Sequence, residues 1–150
     1  MKVFASKEEI LAAKGQELGT SEWLTITQEQ VNTFADATHD HQWIHVDVEK
    51  AESGPFGGPI AHGFLTLSLL PKLNSETFRV DNVKMGINYG LNKVRFPSPV
   101  PVGARVRSTT QLIDVTEIEG GLQLAVKAVV EIEGAEKPAC VAEFLSRVLL

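Results

Sequence analysis

Apolar and polar positions divide the chain into a helical first half and a strand-rich second half. Ser6 followed by Glu9 is a capping-box pattern, in which side chains satisfy backbone N–H groups that a helix start leaves free. It predicts a short helix through Ala13, closed by Gly15. Trp23 to Ile26 reads as a short strand. Thr27 and Gln30 repeat the capping pattern, with Ile26 and Val31 placed to staple it. Behind that cap, Val31, Phe34, Ala35 and Thr38 recur at helical spacing, and this helix is expected to stop near His39. From His39 to Gly58 the periodicity is lost, apart from a helical turn after Asp47, and Gly54, Pro55, Gly57, Gly58 and Pro59 mark a loop. Residues 61–70 are apolar on more than one helical face, which predicts a helix covered on nearly all sides. Pro71 should kink or end it, because proline removes a backbone donor and clashes with the preceding turn.

After Asp81 the pattern becomes that of strands. Lys84 to Tyr89 and Leu91 to Phe96 flank Gly90, a bulge or bend, and residues 97–103 form a stiff proline-rich turn. Three longer strands are expected at Ala104–Val115, Leu122–Ile132 and Ala139–Leu149, joined by hairpins at Glu119-Gly120-Gly121 and at 133–136. Hairpins imply antiparallel pairing. A curved antiparallel sheet needs one face covered, and the helix over 61–70 is the one apolar enough to do it. The expected architecture is therefore α+β, with the sheet wrapped around that helix in one domain spanning 1–150.

Composition narrows the function classes. A formal charge of −5 argues against general nucleic-acid binding, which needs a basic surface to displace counterions. Cys140 stands alone, so no intrachain disulfide forms. Met1 to Lys14 lacks the apolar core of a signal peptide, and Phe64 to Leu70 falls far short of the ~20 residues that span a bilayer. A cytoplasmic protein without a membrane partner is expected.

All four histidines lie between positions 39 and 62, with Asp36, Asp40 and Asp47 nearby. Histidine is the side chain best poised to exchange protons near neutral pH, and chemistry concentrates on loops held by rigid elements. Asp40 and His45 would point about 140° apart on a helix and to opposite faces on a strand, so they meet only if the backbone turns between them. His39, His41, His45 and His62 match no zinc-ligand spacing, and no metal or other cofactor is expected.

Residues 34–45, Phe-Ala-Asp-Ala-Thr-His-Asp-His-Gln-Trp-Ile-His, resemble the hydratase motif of the MaoC-like, (R)-specific enoyl-CoA hydratases. Pro59-Ile60-Ala61-His62-Gly63 resembles the segment that opens that family's central helix, and 87–96 with 99–103 resembles its next strand and turn. The wording Asp40 to His45 is most similar to the NodN-like subgroup. It departs from the broader family at His39, where glycine is usual, and at Gln42-Trp43, where Asn-Pro is usual.

The resemblance implies a hot-dog fold that hydrates 2-enoyl thioesters. Asp40 and His45 would sit around one water, with Asp40 activating it and His45 protonating the α-carbon, or with these roles shared or reversed. A backbone N–H at the helix start, that of Gly63 beside His62, would stabilise the thioester oxygen. Ser68 matches a position that orients the aspartate in some members, or else is a satisfied helix hydroxyl. Gln42 and Asn88 would help hold the site, and Trp43 would line the acyl pocket or cap the core. Lys93 and Arg95, alternate residues of one strand, would meet the phosphates of coenzyme A or form a solvated face. The resemblance also implies a homodimer and an acyl-CoA or acyl carrier protein thioester as partner. A hot-dog thioesterase and a non-catalytic acyl-thioester binder are the competing readings.

Overall fold

The computed structural model describes residues 1–150. The chain begins with β1 (Lys2–Phe4), α1 (Lys7–Ala12), β2 (Glu17–Thr20), β3 (Leu24–Thr25) and α2 (Gln28–Thr38). Two short helices follow, α3 (Trp43–Val46) and α4 (Val48–Glu52), and then α5 (Gly63–Ser68) and α6 (Leu70–Asn74). The rest is β4 (Phe78–Val80), β5 (Met85–Arg95), β6 (Arg105–Ile118), β7 (Gly121–Ile132) and β8 (Cys140–Leu149). Both expected caps form: Ser6 Oγ accepts the Glu9 N–H at 3.2 Å and Thr27 Oγ1 accepts the Gln30 N–H at 3.1 Å. Ile26 and Val31 are fully buried on either side of the second cap.

The main sheet is antiparallel, in the order β2-β6-β7-β8-β5, with β3 also on β6. β5 is one strand rather than two. Its register against β8 slips between Asn88 and Gly90 and again between Leu91 and Lys93, so Tyr89 and Asn92 are the extra residues of two bulges. Gly121 belongs to β7 rather than to the hairpin, and a Cβ there would collide with the Val148 carbonyl oxygen. β1, β2 and β4 are strands that periodicity does not predict. β1 pairs in parallel with β4, Lys2 opposite Phe78.

Two apolar clusters fill the interior. One gathers Ile26, Val31, Leu65, Leu70 and Leu73 with β7 and β8 residues such as Val130 and Cys140. The other packs Phe4 and Ile10 on Leu112, Leu122 and Leu124. Helix α5–α6 covers the sheet as expected, and the chain breaks at Leu69, two residues before Pro71, which occupies the first turn of α6. The expectation of a helix covered on nearly all sides does not hold. Leu65, Thr66, Leu70 and Leu73 are buried, whereas Phe64 is 67% exposed and Ser68 also faces out, because only one side of the helix meets the sheet.

Buried polar groups lock that helix to the sheet. Ser108 and Thr110, inward-facing on β6, donate to Asn74 Oδ1 at 2.9 Å and Thr77 Oγ1 at 2.8 Å, and the Ser108 N–H donates to Ser21 Oγ at 2.9 Å. Leu73, 1% exposed, is the apolar anchor beside them. Leu73→Ala is expected to cost about 2–5 kcal/mol in urea unfolding, whereas Phe64→Ala should stay within about 0.5 kcal/mol in the single chain. Equal losses would contradict a one-sided helix.

Candidate active site

The turn that the Asp40/His45 spacing requires is built at the end of α2. Thr38 Oγ1 folds back on the Phe34 carbonyl at 2.7 Å, and His39 ends the helix in the left-handed region at φ 62°. Few side chains other than glycine settle there, though histidine is among those that do. Asp40 then lies outside the helix, its Oδ1 3.4 Å from the N–H of Gln42, and Gln42 caps the single turn of α3. That turn buries His45. The Gln28 amide reaches from α2 to the His45 carbonyl at 2.8 Å and holds the two helices together.

His45 and His62 exchange hydrogen bonds with each other's segments. His45 Nδ1–H donates to the Ile60 carbonyl at 2.7 Å, and His62 Nε2–H donates to the Asp40 carbonyl at 3.0 Å. The rings stack with centroids 3.9 Å apart and planes 24° from parallel, and Phe34 packs on His62 at 4.8 Å. One ring nitrogen each of His45 and His62 and one carboxylate oxygen of Asp40 fall within 4.8 Å of one another. Donation through Nδ1 fixes the His45 tautomer and leaves Nε2 with its lone pair. Burial is the largest influence on this ring and pushes its pKa below the ordinary value of 6.5. The bond to Ile60 works the other way, His62 lowers it further, and the Asp40 carboxylate raises it.

Gly63 opens α5, where the first N–H of a helix has no intrahelical acceptor. A Cβ on it would stand 3.0 Å from the Phe96 ring. Gly63 and His45 line one cavity of about 280 Å³, walled by Phe56, Ile60, Thr66 and Phe96. Thr66, 2% exposed, is a site residue that sequence reasoning passed over, although it is the polar interruption between Leu65 and Leu67. Ser68 is elsewhere: its Oγ donates to the Phe64 carbonyl at 2.6 Å, not to Asp40, and it lines a second, larger cavity together with Asn88. Trp43 lines neither cavity. It lies on Gly54, whose Cβ would come within 2.9 Å of the ring, under the Lys50 ammonium 4.7 Å from the ring centroid. Gln42 is exposed, and so are Lys93 and Arg95 on β5, where the Arg95 guanidinium donates to the Val94 carbonyl.

The family model for MaoC like domains matches residues 9–134. The chain belongs to the MaoC-like dehydratase family. It is a hydro-lyase by that membership. The 3-hydroxyacyl-thioester dehydratase Z of Mycobacterium tuberculosis is 58% identical over 148 residues, 98% of both chains. Nodulation protein N of Rhizobium meliloti is 49% identical over 94% of this chain and 89% of its own. The X-ray structure of a monoamine oxidase regulatory protein from Archaeoglobus superposes with a TM-score of 0.79 at 25% identity, covering 99% of this chain and 96% of that one. The (R)-hydratase from A. caviae involved in PHA biosynthesis superposes at 0.71 and 24% identity over 89% and 94%, a likeness of fold. The α+β hot-dog arrangement expected of a MaoC-like chain is the one observed. No helix is long and apolar enough to cross a membrane.

The lowered pKa of His45 has a consequence for stability. The unfolded chain takes up a proton near 6.5, whereas the folded chain does so only at lower pH. The contribution of this ring is therefore complete above pH 6.5 and is lost as pH falls through that value toward the folded pKa. Urea unfolding followed from about pH 8 to about pH 5 should show this decline. In His45→Gln the decline should flatten. An unchanged slope in the variant would place its origin in another group.

Proposed function

We propose that the chain reversibly adds water to trans-2-enoyl-CoA to give (R)-3-hydroxyacyl-CoA, with Asp40 and His45 handling the proton. The observation that carries this reading is a neutral imidazole, its Nδ1 committed to Ile60 and a ring nitrogen within 4.8 Å of a carboxylate oxygen, at the mouth of a helix whose first N–H is unpaired. The 58% identical relative named for dehydrating 3-hydroxyacyl thioesters supports the same chemistry in reverse.

In the hydration direction, His45 Nε2 takes a proton from a water that Asp40 holds by its carboxylate. The water oxygen bonds to the β-carbon as the carbon–carbon π bond breaks, and negative charge moves through the α-carbon onto the thioester oxygen. The Gly63 N–H stabilises that oxygen. The imidazolium, held by the Asp40 charge, then returns its proton to the α-carbon, so one water is added and the site is regenerated. Of the assignments that the resemblance leaves open, the lone pair on Nε2 favours His45 as the base. His62 acts by position, keeping the Asp40 backbone and the His45 ring in place. With crotonyl-CoA, absorbance of the conjugated double bond should fall on adding protein. Asp40→Asn and His45→Gln should each slow this by about 100-fold or more while circular dichroism stays unchanged. Full rate in both variants would refute the dyad.

A homodimer completes the proposal. β5 is an eleven-residue edge strand that exposes Ile87, Tyr89 and Leu91 along an unpaired backbone, the kind of edge that proteins cover. Two copies joined along β5 would also bring Lys93 and Arg95 to the seam, where phosphates of the carrier would meet them. Light scattering should give twice the mass of one chain, and Ile87→Lys should halve it. A monomeric wild-type chain would exclude this assembly.

A further inference from the structure

A cavity of about 570 Å³ lies between α6 and the β5–β8 pair and shares no lining residue with the cavity beside His45. Its size is that of a small-molecule site, and its walls are mainly apolar, with Leu67, Leu70, Phe78 and Phe144 among them. One group in it is out of keeping. Asn74 lines the cavity, is only 7% exposed, and its Oδ1 accepts the Ser108 hydroxyl at 2.9 Å. That bond fixes the plane of the carboxamide and turns its amide nitrogen away from Ser108, where no group of the chain accepts its hydrogens.

The surroundings add to this polarity. Asn88 and Ser146, directly opposed across β5 and β8, line the same cavity. The hydroxyls of Ser68 and Ser75, also on its wall, donate to the Phe64 and Lys72 carbonyls and so present only lone pairs inward. A plain alkyl chain filling this space would strip water from the Asn74 N–H and leave it unpaired, which a buried donor resists. An oxygen at that point would accept it. Asn74 ends α6 and Gly63 opens α5, two consecutive helices with a break at Leu69, at most about 16 Å apart at the helical rise, so the oxygen would belong to the distal part of a chain whose thioester lies at the helix start.

We infer that this cavity takes the distal end of the acyl group and that Asn74 makes the site selective for chains carrying a hydrogen-bond-accepting oxygen there. The substrate class is then an oxygenated acyl thioester, with a hydroxyl or keto group remote from the reacting carbons, rather than a simple fatty acyl thioester. This rests on the reading of the chain as a thioester hydratase, and the test separates the two.

Saturated acyl-CoA thioesters, which cannot be hydrated, are titrated by calorimetry in pairs running from short to long chains, past the length that spans the two ends of the helix, with and without a terminal hydroxyl. At the length that reaches Asn74, the hydroxylated member should bind wild-type protein about tenfold more tightly. Asn74→Leu should reverse that preference. Asn74→Asp, of the same shape but without a donor on that side, should abolish it and serves if leucine disturbs the packing on Ser108. Equal or tighter binding of the plain chain at every length, or a preference that survives both substitutions, overturns the inference. If the preference is found but no enoyl thioester is hydrated, the hydratase reading fails and the selectivity stands. If hydration is found without the preference, the reverse holds.

Discussion

The two imidazoles His45 and His62 each donate a hydrogen bond to the backbone of the segment that carries the other, and lie face to face between those bonds. Breaking either bond would leave a buried carbonyl or ring nitrogen without a partner, so the two are held together more firmly than separate contacts would be. Around this pair the backbone is tied again, by the Ile60 N–H to the Ile44 carbonyl at 3.0 Å and the Ala61 N–H to the Val100 carbonyl at 2.8 Å. The aperiodic stretch after α2 is thereby fastened to the start of α5 and to the turn before β6. Both Asp40 and the free nitrogen of His45 owe their positions to it.

The sequence makes the elements with local signals legible and leaves those that depend on distant partners obscure. Caps at Ser6 and Thr27 and the long strands β6, β7 and β8 are written in neighbouring residues. β1 and β4 are three residues each and exist through pairing with one another across most of the first half, a contact no short window contains. The candidate site divides in the same way. Clustering of the histidines with Asp40 is visible in the chain, but on any regular element Asp40 and His45 diverge. The left-handed turn at His39 reconciles them, and histidine does not announce such a turn as glycine does. The partner of His45, the carbonyl of Ile60, is a backbone atom and leaves no mark in composition.

Helix α5–α6 serves two environments at once. Its first turn borders the cavity beside His45, and its later residues border the cavity under β5, while Leu65 and Leu73 bind it to the sheet. Hydrogen bonds from Ser108 and Thr110 to Asn74 and Thr77 set how far along the sheet the helix sits, a register that apolar packing alone leaves free to slide. Polar residues on the inner face of β6, which an alternating pattern would fill with valine or leucine, thus have a positional role.

The ties between Ile44, Ile60 and the two histidines also enclose the chain from Val46 to Pro59 as a loop whose ends are already pinned. Once its ends are fixed, lengthening such a loop costs little, about 0.6 kcal/mol for each doubling. Phe56 lies within it and walls the cavity beside His45. Insertions or deletions here would reshape the entrance while leaving the paired imidazoles undisturbed. In this chain, the excursion is where the aperture of the site can change independently of its chemistry.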